Sequence, residues 1–240
     1  MIFDKKGNNP ALAVGYLFKG LKLLTSNQLR AFIIIPVLIN VVLYSVALVL
    51  GYYYLTDLIE QFIPGWLHWL SWVLWPLFFI SFFIAGFFTF TVLANLLAAP
   101  LYGKLSAKTL MLINGQVKEI EEQPLLKVMS AELKRAGYLL SRALPLLVLS
   151  FIPGVNVLAP FLWALFGAWG MSLEYMAYPL ENAGVLFPEQ KQLVKSIRLG
   201  ALSFGGLAAM GLTIPLINII IAPVAVIGAT IYFNDVMKES

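Results

Sequence analysis

The most pointed chemistry in the sequence is Thr25-Ser26-Asn27-Gln28-Leu29-Arg30, immediately before a long apolar run. Ser, Thr and Asn favour the caps of helix starts. A helix start offers unpaired N–H groups and the positive end of the backbone dipole, which together suit an anion. Arg30 would add a planar, permanently charged fork that matches an oxyanion. The candidate site is therefore Arg30 with Ser26, Leu29 and Ala31, holding a sulfate or phosphate. The alternative is a capped membrane helix whose arginine reaches up to the headgroups. A second set comprises Asn156, Asn218, Glu174 and Glu181. The two Asn amides fall at interruptions of apolar runs, where they line an ion path or satisfy the turn backbone. Glu174 and Glu181 flank Tyr175, Tyr178 and Pro179; they form a carboxylate pair or end a helix by bonding to nearby backbone and basic groups.

Other chemistries lack their residues. The chain has no cysteine and one histidine, His68. That excludes a disulfide framework, a thiol nucleophile and a His-ligated zinc site. His68 lies among tryptophans with no carboxylate close in sequence. No G-x-x-x-x-G-K-[ST] phosphate loop occurs. Gly205-Gly206 lacks dinucleotide-loop spacing; Ala201, Gly205 and Ala209, four apart, read instead as a close-packing stripe. No catalytic residue, metal, cofactor or nucleic-acid partner is expected, and the chain does not read as an enzyme.

The elements that must position these residues follow from the charges. Hydrophobic residues make up 60% of the 240 residues and charged ones 12%. A soluble domain is roughly one-quarter charged. Four runs, 31–56, 61–103, 143–173 and 199–234, hold no Asp, Glu, Lys or Arg. A helix crosses the hydrocarbon core with about 20 apolar residues, and helices keep every backbone group paired there. These runs do not alternate as barrel strands would. The first span is read as 31–56. The second, 66–103, opens with Trp66, Trp69, Trp72 and Trp75 at the interface, followed by Pro76. The other two runs are longer than one span and shorter than two. Ile152-Pro153-Gly154-Val155-Asn156 and Ile214-Pro215-Leu216-Ile217-Asn218 interrupt them with turn chemistry. They are read as two re-entrant helical hairpins, with one Pro-kinked span each as the alternative. The fold class is thus an all-α integral membrane protein forming a single domain over 1–240. Around the spans and hairpins lie an amphipathic N-terminal segment (1–30), a short external loop (57–65), amphipathic helices (104–142) and a polar connection (174–198).

In that arrangement every segment but the 57–65 loop shares one side, which carries all 16 Lys and Arg. The positive-inside rule makes that side cytoplasmic. Residues 10–24, with Pro10 in the first turn, read as an interfacial helix with Leu12, Tyr16, Leu17, Leu21 and Leu24 on one face. In 125–142 the stripe is Leu126, Met129, Leu133, Gly137 and Leu140, with Lys127, Lys134 and Arg135 off it as surface anchors. No secretory signal is visible.

Several motifs in order resemble the CysZ-type bacterial sulfate permease family. They are Arg30 with Ile35-Pro36 and Asn40, Ile63-Pro64-Gly65-Trp66-Leu67, Trp75-Pro76-Leu77, and Asn95 with Ala98-Ala99-Pro100. Further on come Phe151-Ile152-Pro153-Gly154, Ala159-Pro160, Tyr175 with Tyr178-Pro179 and Asn182, and Ile214-Pro215-Leu216-Ile217-Asn218 with Ala222-Pro223-Val224-Ala225. The resemblance implies a multi-pass inner-membrane protein that supplies sulfate for cysteine synthesis, with two long spans, two partly inserted hairpins and a homo-oligomeric assembly in lipid. It implies sulfate contact at Arg30. Two positions depart from the family pattern: Ala31, where a second arginine often follows, and Ala177, where an aspartate often precedes Tyr-Pro. The competing reading is a membrane scaffold or lipid-binding protein that transports nothing.

Overall fold

The computed structural model describes residues 1–115, 124–214 and 217–238, with side chains except those at 33, 36, 40, 68, 87–100, 125, 219 and 238. The His68 and Asn95 side chains and the Pro215-Leu216 pair therefore lie outside the described residues. Eight α-helices are described: α1 Pro10–Leu24, α2 Ala31–Phe62, α3 Ser71–Asn114, α4 Leu125–Ser150, α5 Ala159–Asn182, α6 Glu189–Ser196, α7 Arg198–Leu212 and α8 Ile217–Val236. Two-residue strands, β1 (Ile2–Phe3) and β2 (Met237–Lys238), pair antiparallel. The chain forms two compact units, one of residues 1–31 with 101–240 and one of residues 32–100.

The smaller unit is built from most of α2 and the first part of α3. Its contacts are aromatic: Tyr52 lies 4.8 Å from Trp75 between ring centres. The Tyr44 hydroxyl donates to the Gly86 carbonyl. α2 passes through Asp57 and Glu60 and ends only at Phe62, so most of the expected 57–65 loop is helix. Charge marks where a chain leaves lipid, but it does not stop a helix. Pro64 does, because it disfavours helical geometry at Ile63.

The larger unit packs α5 on α7, and α1 on both α8 and α7. α1 begins as expected, with Pro10 in its first turn and the Asn9 side chain accepting from the N–H groups of Ala11 and Leu12. Its buried face is Ala13, Tyr16, Leu17, Gly20 and Leu24, whereas Leu12 and Leu21 point outward. The apolar positions of α1 thus serve two faces, one against α8 and one outside. A Cβ on Gly20 would lie 2.5 Å from the Val224 carbonyl oxygen, so only glycine permits this crossing. Gly205 plays the same part between α7 and α5, where a Cβ would lie 2.6 Å from the Ser172 nitrogen. The packing stripe is Ala201, Gly205 and Ala208; Ala209 stands only partly buried beside it. Around the centre, Tyr16 stacks on Tyr232 at 4.7 Å, and the Thr230 hydroxyl donates to the Ser106 oxygen at 2.9 Å.

Both Pro-containing interruptions coincide with helix breaks. α4 ends at Ser150 and α5 starts at Ala159; α7 ends at Leu212 and α8 starts at Ile217. Gly154 adopts a φ of +84° in the first break, a conformation that favours glycine. The helices flanking the first break are longer than the two short arms into which the charge-free run 143–173 would divide. α4 joins the amphipathic 125–142 segment to the apolar arm in one helix of 26 residues, and α5 runs 24 residues to Asn182. Among the described residues, Val37–Phe62 and Asn156–Asn182 are long and apolar enough to cross a membrane, with mean hydropathy 1.8 and 1.3. α6 and α7 meet at a bend of 100°.

Candidate functional site

The turn between α1 and α2 places the predicted anion residues. Thr25 caps α1, its hydroxyl donating to the Lys22 carbonyl at 2.7 Å. The Ser26 N–H donates to Leu23, and the Ser26 carbonyl then accepts from both Leu29 and Arg30, each at 3.2 Å. The Leu29 and Arg30 N–H groups are therefore committed to the turn. Leu29 is fully buried and pins the turn to the body of the protein. The Ser26 hydroxyl oxygen is buried and has no hydrogen-bond partner among the described residues. The Arg30 side chain is exposed, with no ion pair or hydrogen bond there either. An unsatisfied buried hydroxyl costs about 1–3 kcal/mol, so a ligand that satisfies it gains by that amount. One turn thus carries an exposed, free cation and, enclosed within it, a hydroxyl without a partner.

Of the second set, the two glutamates meet in one charged cluster and the two asparagines stand apart from it. The Asn156 N–H donates to the Ile152 carbonyl at 3.0 Å, and the Asn218 N–H donates to the Ile214 carbonyl at 3.0 Å. The two asparagines thus make the same backbone bond four residues back, and both Asn side chains stand exposed. Glu174 and Glu181 lie on α5, two turns apart, and both face the cluster of Glu132 and Arg135 on α4. Glu174 pairs with Arg135 of α4 at 3.0 Å and accepts from the Tyr178 hydroxyl at 3.3 Å. Glu181 accepts from Gln190 of α6 at 3.4 Å.

The Arg135 cluster was not visible in the chain order. Arg135 reads there as a surface anchor, yet its side chain is only 11% exposed and lies between Glu132 and Glu174. Its one sequence signal is the three-residue spacing from Glu132, which allows contact on a helix. Burial pushes the Glu132 carboxyl above its ordinary range, Arg135 pulls it back, and Glu174 pushes it up again. With two carboxylates on it, Arg135 has no free charge to offer an anion. Nearby, Asn182 donates to the Gly103 carbonyl at 3.0 Å and ties α5 to the end of α3. No group of three or more His, Cys, Asp or Glu could hold a metal ion among the described residues.

Of these groups, the Arg30 guanidinium is the exposed cation without a partner among the described residues. Comparison with known proteins gives the family of the chain. Residues 16–223 match the family model described as "Sulfate transporter CysZ/Etoposide-induced protein 2.4". A Pseudomonas paraeruginosa protein named Sulfate transporter CysZ is 38% identical over 229 residues, covering 91% of this chain and 92% of the relative. A protein of the same name from Pseudomonas syringae pv. tomato is 38% identical over 231 residues, covering 91% and 90%. One from Pectobacterium atrosepticum is 36% identical over 233 residues, covering 92% and 84%. A match over most of the chain to the family and to full-length relatives leads to one conclusion: the chain belongs to the Sulfate transporter CysZ/Etoposide-induced protein 2.4 family.

Proposed function

We propose that this protein is a sulfate permease of the bacterial inner membrane that feeds cysteine synthesis and converts no substrate. The observation that carries the reading is the identity of 36–38% with proteins named Sulfate transporter CysZ along nearly the whole of both chains. The turn before α2 supports it from the other direction: Arg30 is unpaired among the described residues and exposed, and four residues before it stands a buried, unsatisfied Ser26 hydroxyl. In this reading the Arg30 guanidinium and the Ser26 hydroxyl hold two sulfate oxygens, and Leu29 and Ala31 shape the backbone around them. Hydrogen bonds to a charged group are worth about 1.5–3 kcal/mol each. Removing the guanidinium should therefore weaken sulfate binding by about one to two powers of ten.

The membrane arrangement belongs to the same proposal. The basic, N-terminal side faces the cytoplasm, and the chain sections around the two Pro-containing breaks dip into the bilayer as hairpins. The exposed stripe of Leu126, Met129, Leu133 and Leu140 on α4 supports an interfacial position for the first half of that helix. Asn156 and Asn218, with Glu174 and Glu181, lie along the ion path, and copies of the chain assemble in the lipid to enclose it. The test is labelled-sulfate flux into liposomes carrying the purified protein. Uptake above protein-free liposomes, lost with Arg30→Ala in a variant that still inserts, is the expected outcome. Absence of flux under any ion gradient would refute transport. Unchanged sulfate binding by Arg30→Ala would refute the site alone.

A further inference from the structure

Four helices of the larger unit meet around a cavity of about 460 Å³. Its cations come from three of them: Arg142 of α4, Lys191 and Lys195 of α6, and Arg198 of α7; Tyr138 of α4 and Trp169 of α5 form an aromatic wall. No Asp or Glu among the described residues lines it. None of the four cations has a carboxylate partner among the described residues, in contrast to Arg135. Like charges gathered without counter-charge repel one another, and a bound anion relieves that repulsion.

Two of the four cations rest on one aromatic ring. The Arg142 guanidinium lies 3.8 Å from the Tyr138 ring centre, and the Lys191 ammonium lies 4.8 Å from the same centre. Such contacts attract a cation to an aromatic face. Tyr138 is itself anchored, because the Trp169 indole donates to its hydroxyl at 3.1 Å. Arg142 and Lys191 are thereby positioned on one shared ring, while Lys195 and Arg198 line the cavity as exposed side chains.

Its place in the chain identifies the kind of anion. Arg142 is the last charge before the charge-free run 143–173, and Arg198 is the last before the run 199–234. Both runs start at the cavity and lead away as apolar helix. Leu144 and Leu199, just beyond these arginines, are more than half exposed. The site therefore couples a cationic, aromatic head cavity to an open apolar surface. A free sulfate or phosphate matches the first half of that description; an anionic phospholipid matches both. Basic pockets between membrane helices on the cytoplasmic side recognise such headgroups. We propose that Arg142, Lys191, Lys195 and Arg198 bind the phosphate headgroup of an anionic phospholipid, with the acyl chains lying along the apolar surface at Leu144 and Leu199. The bound headgroup ties α4 to the bent α6–α7 pair. This site is distinct from the Arg30 turn and does not depend on the sulfate reading.

The test uses the full-length protein in neutral detergent, with bound lipid counted by native mass spectrometry. Cardiolipin, phosphatidylglycerol and phosphatidylcholine are titrated separately, as are inorganic sulfate and inorganic phosphate. Retention of cardiolipin or phosphatidylglycerol in preference to phosphatidylcholine is expected. The triple variant Arg142→Gln/Lys195→Gln/Arg198→Gln should weaken that retention by at least about tenfold. A control with the same charge loss, Lys22→Gln/Lys127→Gln/Lys134→Gln, should stay within about twofold of the wild type. Circular dichroism checks that the variants fold; if the triple variant does not, Lys195→Gln and Arg198→Gln singly should each weaken retention several-fold. Equal loss in the control, equal retention of phosphatidylcholine, or unchanged binding in the cavity variants would overturn the proposal. So would inorganic sulfate or phosphate displacing cardiolipin at millimolar concentration, which would make the occupant a free ion.

Discussion

Replacing Arg135 by Met should destabilise the protein in a way that depends on pH. The long apolar stem of arginine is kept in volume, while the guanidinium between Glu132 and Glu174 is lost. Breaking a fully buried ion pair costs about 3–5 kcal/mol. Here Arg135 is 11% exposed but the carboxylates are 43% and 38% exposed, so water screens what remains and the cost falls to about 1–3 kcal/mol. For a chain of this size that is roughly 3–10 °C in melting temperature. The sign with pH follows from Glu132. Burial already raises its pKa, and Arg135 is the leading influence that lowers it, with a hydrogen bond to Glu181 acting the same way. Without Arg135 the folded-state value rises further above the unfolded one. Such a carboxyl favours the fold below its unfolded value, and that contribution is lost as pH rises through the folded value. The variant should therefore lie closest to the wild type in mild acid and fall furthest behind at neutral pH. Thermal unfolding in detergent, followed by tryptophan fluorescence between pH 4.5 and 8, reads this directly. A deficit that does not change with pH, or a variant as stable as the wild type at pH 7.5, would refute the account of Arg135 as the neutralising centre of this cluster.

Three further outcomes follow from packing and from the chain ends. Gly205→Ala should cost about 1–3 kcal/mol or more, because the new methyl meets α5 backbone that cannot swing aside; a melting temperature equal to wild type would show that α7 can shift. Gly20→Ala should do the same between α1 and α8, whereas Gly137→Ala, with open space around it, should leave the melting temperature unchanged or slightly raised. Asp235, whose pKa is held down first by the Tyr16 hydroxyl and also by Lys6, stabilises the fold above its unfolded value and loses that effect as pH falls through its folded value. Asp235→Asn should therefore flatten the acid limb of stability below about pH 4 while costing no more than about 1 kcal/mol at pH 7, since the pair is half exposed; an unchanged acid limb in the variant would place the titration elsewhere.

Backbone punctuation was legible in the sequence, and tertiary electrostatics was not. Asn9-Pro10 marks the start of α1 because a short polar cap and a donor-less ring are local requirements. Pro153-Gly154 falls in a helix break for the same local reason. By contrast, the change from polar to apolar composition near residue 142 marks no boundary: it alters which solvent the helix meets while α4 continues through it, Pro145 included. The Arg135 cluster escaped because Glu174 arrives from α5, and periodicity along α4 records only that Arg135 lies off the apolar stripe. At the proposed anion site the residue types, Arg30 and Ser26, stand in the sequence itself. The burial of the Ser26 hydroxyl was not, since it comes from the packing of the whole turn.

The basic residues divide by whether their charge is already answered, and this division decides which can bind an anion. Arg135 is neutralised twice over, and Lys6 pairs with Asp235 at 3.2 Å. Arg30, Arg142 and Arg198 are unanswered among the described residues, and they differ in what surrounds them. Arg30 stands on a polar turn beside a single hydroxyl, which fits a small dianion that must also leave. Arg142 and Arg198 stand with two lysines over an aromatic wall and open onto apolar helix, which fits a ligand that stays. The two sites should therefore separate in one flux experiment run in two lipid mixtures. Arg30→Ala should reduce sulfate uptake by the same factor in phosphatidylcholine liposomes and in liposomes containing cardiolipin. The effect of Arg142→Gln/Lys195→Gln/Arg198→Gln should appear only where cardiolipin is present. If the triple variant lowers uptake equally in both mixtures, the cavity acts on sulfate itself, and the division of labour between the two cationic positions is wrong.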